Sequence, residues 1–265
     1  DVVVLVHGLA GSPWDLRLFR NFLKTRFPRT EFLLCESIEE DTLADINLMG
    51  ETISKEIEEF IHKNIVTLGT LSFIGHSLGG IVIRAALTTK RMAPFLSHLS
   101  VFISLSSPHL GTLYQKTAIV PKAMWVMQKW TKSVGLKQLA LKDAPKREDC
   151  FLYKLSQAKG LEYFHQIFLV SSEQDGYSPL HSSRIEVGKE ARDDAVNGPA
   201  VIAMARNLWQ PIVQARREVS KLGVIFGSNS LTGVDALLGR AAHIRFLDNS
   251  TWIQMFISNY LKPSY

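Results

Sequence analysis

The stretch Ser72 to Ala86, reading S-F-I-G-H-S-L-G-G-I-V-I-R-A-A, constrains this chain more than any other. Leu71, Phe73 and Ile74 end a short apolar run. Gly75-His76-Ser77-Leu78-Gly79 follows at once, and Ile81, Val82, Ala85 and Ala86 then recur at helical spacing. The order is strand, tight turn, helix. A serine at such a corner is forced into a strained backbone conformation, and glycines two residues to either side let strand and helix approach without a side-chain clash. The spacing therefore predicts that Ser77 stands exposed at a strand end as a candidate nucleophile. A G-x-S-x-G sequence also arises by chance, but chance copies seldom fall on a strand-to-helix corner.

The flanking chain repeats the strand-helix alternation. Val2 to Val6 is a continuous β-branched run, as expected of a buried parallel strand, and leads into His7-Gly8-Leu9-Ala10-Gly11. Ser12-Pro13 reads as a helix start ahead of Trp14, Leu16, Leu18, Phe19, Phe22 and Leu23. A second strand is expected over Phe32 to Cys35 and an amphipathic helix over Thr42 to Ile65, with Ile46, Met49, Ile53, Ile57, Phe60 and Ile61 on one stripe. Further strands are expected at Leu99 to Leu105, His165 to Ser171 and Gly223 to Phe226. Helices are expected over Ala200 to Lys221, interrupted by Pro211, and over Thr251 to Leu261. Such alternation predicts an α/β fold, a parallel sheet covered by helices on both faces.

At 265 residues with 46% hydrophobic and 21% charged side chains, the chain suits one globular domain over residues 1–265. Residues 112–162 read as an inserted helical cap or lid. Between Thr112 and Gly160 ten Lys/Arg face only Asp143, Glu148 and Asp149, a local net of +7 that exceeds the whole chain's +5. Those lysines alternate with Met124, Trp125, Met127 and Trp130. This pattern suits peripheral contact with an anionic lipid surface, and equally a cap whose aromatics face inward and whose lysines are solvated. No apolar run reaches the roughly 18 residues of a membrane span. Cys35 and Cys150 lack metal-ligand spacing and point to two free thiols in a reducing, intracellular compartment. The chain opens at Asp1 and reads as a portion of something longer, so the lack of a leader carries no weight. Neither a dinucleotide or phosphate-binding loop nor a nucleic-acid motif appears, so no cofactor, metal or nucleic acid is expected.

A serine hydroxyl is a poor nucleophile near neutral pH and needs a histidine base, an acid to orient it, and donors for the developing oxyanion. In parallel-sheet hydrolases such groups gather at the carboxyl ends of strands in the chain order serine, acid, histidine. Asp175 follows the strand ending at Ser171, and His243 lies between the last strand and the last helix, both in loops. Asp235 and Glu173 are the rival acids. Asp235 shares a loop with His243, and Glu173 sits closer to the strand. Among the other histidines His109 precedes the acid, His181 follows it too closely, His7 belongs to the first loop, and His76 is expected to point away from the site. The His7-Gly8-Leu9-Ala10-Gly11 loop matches the H-G loop of lipases, which assigns the oxyanion donors to the main-chain N–H groups of Leu9 and Leu78.

With these residues in place, the chain resembles the "putative serine esterase" family of lipase-like α/β-hydrolase domains. Within it, the likeness is to the C-terminal domain of long eukaryotic proteins grouped as a "family with sequence similarity". The matching stretches are Val6 to Leu9, Asp41-Thr42, Phe73 to Gly79, Ser107 to Tyr114, Met127 to Trp130, Phe151 to Ser156, Gln174-Asp175 and Gly239 to Ile244. The resemblance implies an α/β-hydrolase fold with a cap insertion, serine-dependent ester hydrolysis, and a triad of Ser77, Asp175 and His243. It implies no particular substrate. The expected activity is hydrolysis of lipid-like acyl esters through an acyl-enzyme. The alternatives are a catalytically idle hydrolase fold serving as an interaction or membrane-docking module, and acyl transfer by the same residues.

Overall fold

The computed structural model describes residues 1–115, 133–227 and 240–261. Six strands form one sheet in the order β2-β1-β3-β4-β5-β6, every described pairing parallel: β1 Val2–Val6, β2 Glu31–Leu34, β3 Leu71–His76, β4 Leu99–Leu105, β5 Gln166–Ser171 and β6 Glu218–Gly223. Parallel neighbours require crossovers, and helices lie between the strands: α1 Arg17–Arg26, α2 Ile46–Asn64, α3 Leu78–Ala86, α4 Val134–Leu139, α5 Phe151–Gln157, α6 Leu180–Ser183, α7 Lys189–Asp193 and α8 Gly198–Gln214, while α9 Arg240–Asp248 and α10 Ser250–Tyr260 follow β6. This is the α/β-hydrolase architecture.

Strand pleating divides the core into two layers. Val2, Val4, Val6, Phe73, Ile167 and Leu169 point to the side covered by α2, α3 and α8, where Ile53, Ile57, Ile81, Val82, Met204 and Leu208 meet them. Leu5, Ile74, Ile103, Phe168 and Val170 point to the other side, against Phe19 of α1, Phe246 of α9 and Trp252, Ile253 and Phe256 of α10. Because successive side chains alternate faces, a strand buried on both faces must be apolar throughout. That is why β1, β3, β4 and β5 are legible as runs.

Four expectations differ. Helix α2 begins at Ile46, not Thr42, because Asp45 caps it: the Asp45 carboxylate accepts from the Asn47 and Leu48 amides at 2.7 and 3.3 Å. Helix α8 ends at Gln214, and the last strand is Glu218–Gly223 where Gly223 to Phe226 was expected. Pro211 is tolerated three residues before the helix end. The chain then turns at Arg216, in the left-handed region at φ 53°, with the Arg217 amide donating to Ile212 O at 3.1 Å. As an edge strand with half-exposed Val219 to Leu222, β6 has no need of an apolar run, so E-V-S-K-L-G carries no strand signal. Finally, His243 lies within helix α9 where a loop position was expected.

Within residues 112–162, α4 and α5 are short helices, and Met124, Trp125, Met127 and Trp130 lie outside the described residues. Among the described residues no helix is long and apolar enough to cross a membrane. Cys35 and Cys150 are both free and buried.

Candidate active site

Strand β3 is central in the sheet, and its carboxyl end carries Ser77. The Ser77 backbone sits at φ 53° and ψ −122°, a conformation that costs a non-glycine residue about 1–3 kcal/mol. Its amide donates to Leu105 O at 2.8 Å, which locks the corner to β4. The glycines on either side are demanded by contact. A Cβ on Gly75 would lie 2.6 Å from the Gly80 Cα, and one on Gly79 would lie 2.2 Å from Val6 O. Ser77 itself remains partly exposed, as the turn chemistry requires.

The loop after β1 packs directly on this corner. A Cβ on Gly8 would approach the Ser77 Cβ to 2.9 Å, so the backbone leading to Leu9 passes beside the serine. Leu78 opens α3, where helix geometry leaves amides without intrahelical partners. Among the described residues neither the Leu9 nor the Leu78 amide has an acceptor. The loop is held by Ala10, in the left-handed region at φ 52°, whose amide donates to Thr42 Oγ1 at 2.9 Å.

Beyond β5 the chain forms an Asx turn on Asp175. Its Oδ1 accepts from the Tyr177 and Ser178 amides at 2.7 and 3.1 Å. Its Oδ2 lies 2.7 Å from His243 Nδ1, and the two side chains are only 1% and 10% exposed. Burial would raise the Asp175 carboxyl, but the adjacent His243 and the Tyr177 amide hold it below the usual carboxylate range. The carboxylate is therefore an acceptor, so Nδ1 of His243 donates and Nε2 carries the lone pair. Ser77 Oγ makes no hydrogen bond with a described residue, so the serine-histidine link is open.

Glu173 is exposed. His109 is fully buried, its Nε2 hydrogen-bonded to Ser104 Oγ at 2.8 Å and its carbonyl accepting from Arg84 at 3.1 Å. His181 pairs with Glu186 at 3.8 Å on the surface, and Asp235 lies outside the described residues. His76 departs from expectation: it does not point away from the site. Its ring packs on His243 at a centroid distance of 4.8 Å, because the extended end of β3 turns residue 76 toward α9 when residue 77 turns outward.

Four residues near these groups escaped sequence reasoning. Thr42 anchors the first loop. Gln174 clamps the acid's turn to the segment after β6, its amide donating to Phe226 O at 3.0 Å and its carbonyl accepting the Phe226 amide at 2.8 Å. Tyr177 packs its ring on His243 at 5.4 Å, and His76 does so from β3. The signal for two of them was present, since Asp41-Thr42 and Gln174-Asp175 stand among the family-like stretches without an evident chemical reason. Among the described residues no group of three or more His, Cys, Asp or Glu is arranged to hold a metal ion.

Known structures share this architecture. A Listeria innocua gene product superposes with a TM-score of 0.52 at 11% identity, covering 99% of this chain and 94% of its own. Pyrococcus horikoshii acylaminoacyl peptidase gives 0.50 at 15% identity, over 100% of this chain and 38% of its own. Aspergillus fumigatus lipase B gives 0.50 at 15% identity, over 100% of this chain and 66% of its own. At such identities the likeness speaks to the fold. The model of the family described as "putative serine esterase" matches residues 1–185, a span that holds the serine corner, the histidine-glycine loop and Asp175, and the chain belongs to that family.

Proposed function

We propose that this chain is a serine hydrolase that cleaves lipid-like carboxylic esters through an acyl-enzyme on Ser77, with His243 as base and Asp175 as its orienting acid. The observation that carries this reading is the buried Asp175–His243 pair at 2.7 Å, set beside a serine in the strained conformation of a nucleophile elbow. Membership of the esterase family and a hydrolase fold support the coarser statement that the domain is lipase- or esterase-like.

In this reading His243 Nε2 takes the Ser77 proton as Oγ attacks the ester carbonyl. The Leu9 and Leu78 amides hydrogen-bond the oxyanion, each worth about 3 kcal/mol of barrier. His243 then returns the proton to the leaving alcohol. Water, deprotonated by the same nitrogen, releases the acyl group and restores Ser77. Asp175 holds the imidazole in the tautomer that both steps need.

Exposed apolar side chains near the proposed groups support acyl chains over small polar esters. Leu9 is 36% exposed and Ile244, next to His243, 38%. Trp14, 64% exposed, lies on the turn Pro13–Leu16 that packs against α9. Labelling of the purified protein by a fluorophosphonate, compared with Ser77→Ala and His243→Ala, tests the assignment. Label that appears on wild type and vanishes from both variants supports it; label retained in Ser77→Ala refutes it. Hydrolysis of p-nitrophenyl esters of rising chain length then tests the acyl preference.

A further inference from the structure

Asp175 holds the ring of His243, but a second histidine holds its backbone. His76, 6% exposed, ends β3 immediately before Ser77, and its Nε2 lies 2.9 Å from the His243 carbonyl oxygen. A carbonyl only accepts, so His76 Nε2 bears the proton and donates it. The intrahelical bond of α9 uses one lone pair of that carbonyl, and the second is open to a side-chain donor. The two imidazole rings also pack at a centroid distance of 4.8 Å with planes 49° apart.

We propose that His76 is a positioning residue that sets the separation between Ser77 and His243 by tethering the backbone of α9 to the end of β3. The proposal rests on the reading of Ser77, Asp175 and His243 as a triad.

Three observations carry it. His76 and Ser77 are adjacent, so one hydrogen bond spanning 167 positions ties the nucleophile's own strand to the base's own backbone. Asp175 grips Nδ1 at one end of the His243 ring, and the bond from His76 reaches the His243 backbone itself. Burial, with His243 beside it, pushes His76 down to about 3, so it stays neutral while His243 cycles through its charged form. A charged neighbour would oppose that cycle; a neutral donor does not.

A packing role alone would be met by any ring of similar size, and this separates the two explanations. His76→Phe keeps a ring and removes the donor, while His76→Gln restores an N–H at a similar reach. If His76 positions the base, His76→Phe lowers kcat or the fluorophosphonate labelling rate by about 10²-fold, the loss typical of a misplacement near 1 Å, with KM little changed. His76→Gln recovers most of that loss. Equal activity in wild type and His76→Phe, or equal losses in the Phe and Gln variants that track melting temperature, would overturn the proposal. Should His76→Phe fail to fold, His76→Leu replaces it.

A second readout is independent of turnover: the proton NMR signal of the His243 Nδ1–H bonded to Asp175, identified by its loss in Asp175→Ala. It should shift or broaden in His76→Phe and return in His76→Gln. Wild type that takes no label refutes the triad reading; an unchanged His243 signal in His76→Phe refutes the positioning role, whatever the labelling result.

Discussion

Asp175 and His243, separated by 68 positions in the chain, meet at 2.7 Å with neither oxygen of the carboxylate left idle. Oδ2 accepts from His243 while Oδ1 accepts from the two amides of its own turn. The turn thus fixes the carboxylate plane, and the histidine is held in one tautomer. Asp175→Asn is isosteric but presents an amide, which reverses the preference at Nδ1. We expect it to fold and to lose about 10³–10⁴ in kcat, as triad acids do. Single-turnover kinetics with a p-nitrophenyl ester measure this, and a loss below tenfold would remove Asp175 from the role of acid.

Acid lability follows from the same pair and from His76. Unfolded, His76 takes its ordinary value of 6.5; in the folded protein, burial pushes it down to about 3. Between those values the unfolded chain binds the extra proton, so stability is full above pH 6.5 and is lost as pH falls toward 3, by up to about 1.4 kcal/mol per pH unit. Asp175, held below its ordinary value of 3.8, adds stability that is present above that value and lost as pH falls through the lower folded pKa. Urea midpoints measured from pH 7 to 4 should decline, and His76→Phe should flatten the limb between 6.5 and 4. An unchanged slope in that variant would mean that His76 is not the titrating group.

The corner tolerates no added methyl. Gly79→Ala would bring a Cβ to 2.2 Å from Val6 O, a backbone atom of a buried strand that cannot yield cheaply. Overpacking of this kind costs about 1–3 kcal/mol or more, and the same shift would displace Leu78 and the serine. At Gly223 a Cβ meets nothing within 4 Å, so Gly223→Ala serves as the control, with an effect within about 0.5 kcal/mol. Equilibrium urea unfolding of the two variants decides the matter, and similar values for both would show that the close approach is not maintained in solution.

Thr42 acts on the first loop through one hydroxyl. Thr42→Val preserves shape and removes the acceptor of the Ala10 amide, which is exposed enough for water to replace it, at a cost of about 0.5–1.5 kcal/mol. If Leu9 supplies an oxyanion donor, freeing the neighbouring Ala10 should lower kcat more than it raises KM. Thr42→Ser, which keeps the oxygen, should retain wild-type turnover. Kinetics of the Ser and Val variants side by side make the comparison, and equal kcat values would detach Thr42 from the loop's function.

Legibility in the sequence followed burial and locality. Strands β1, β3, β4 and β5 were readable because burial on both faces leaves only apolar choices, and the serine corner because its glycines, strand and helix are consecutive. Strand β6 was not, since a half-exposed strand at the end of the described sheet is recruited by pairing with β5 and carries no pattern of its own. Helix α2 was readable in its stripe and misplaced at its start, where one Asp45 side chain outweighs the periodicity. Residue types and chain order selected Ser77, Asp175 and His243 as candidates. They could not say that His243 rides on a helix, that His76 turns inward to hold that helix, or that Gln174 and Thr42 brace the two loops. Each of those is a contact between segments far apart in the chain, and its geometry comes into being only when the sheet brings the strand ends together.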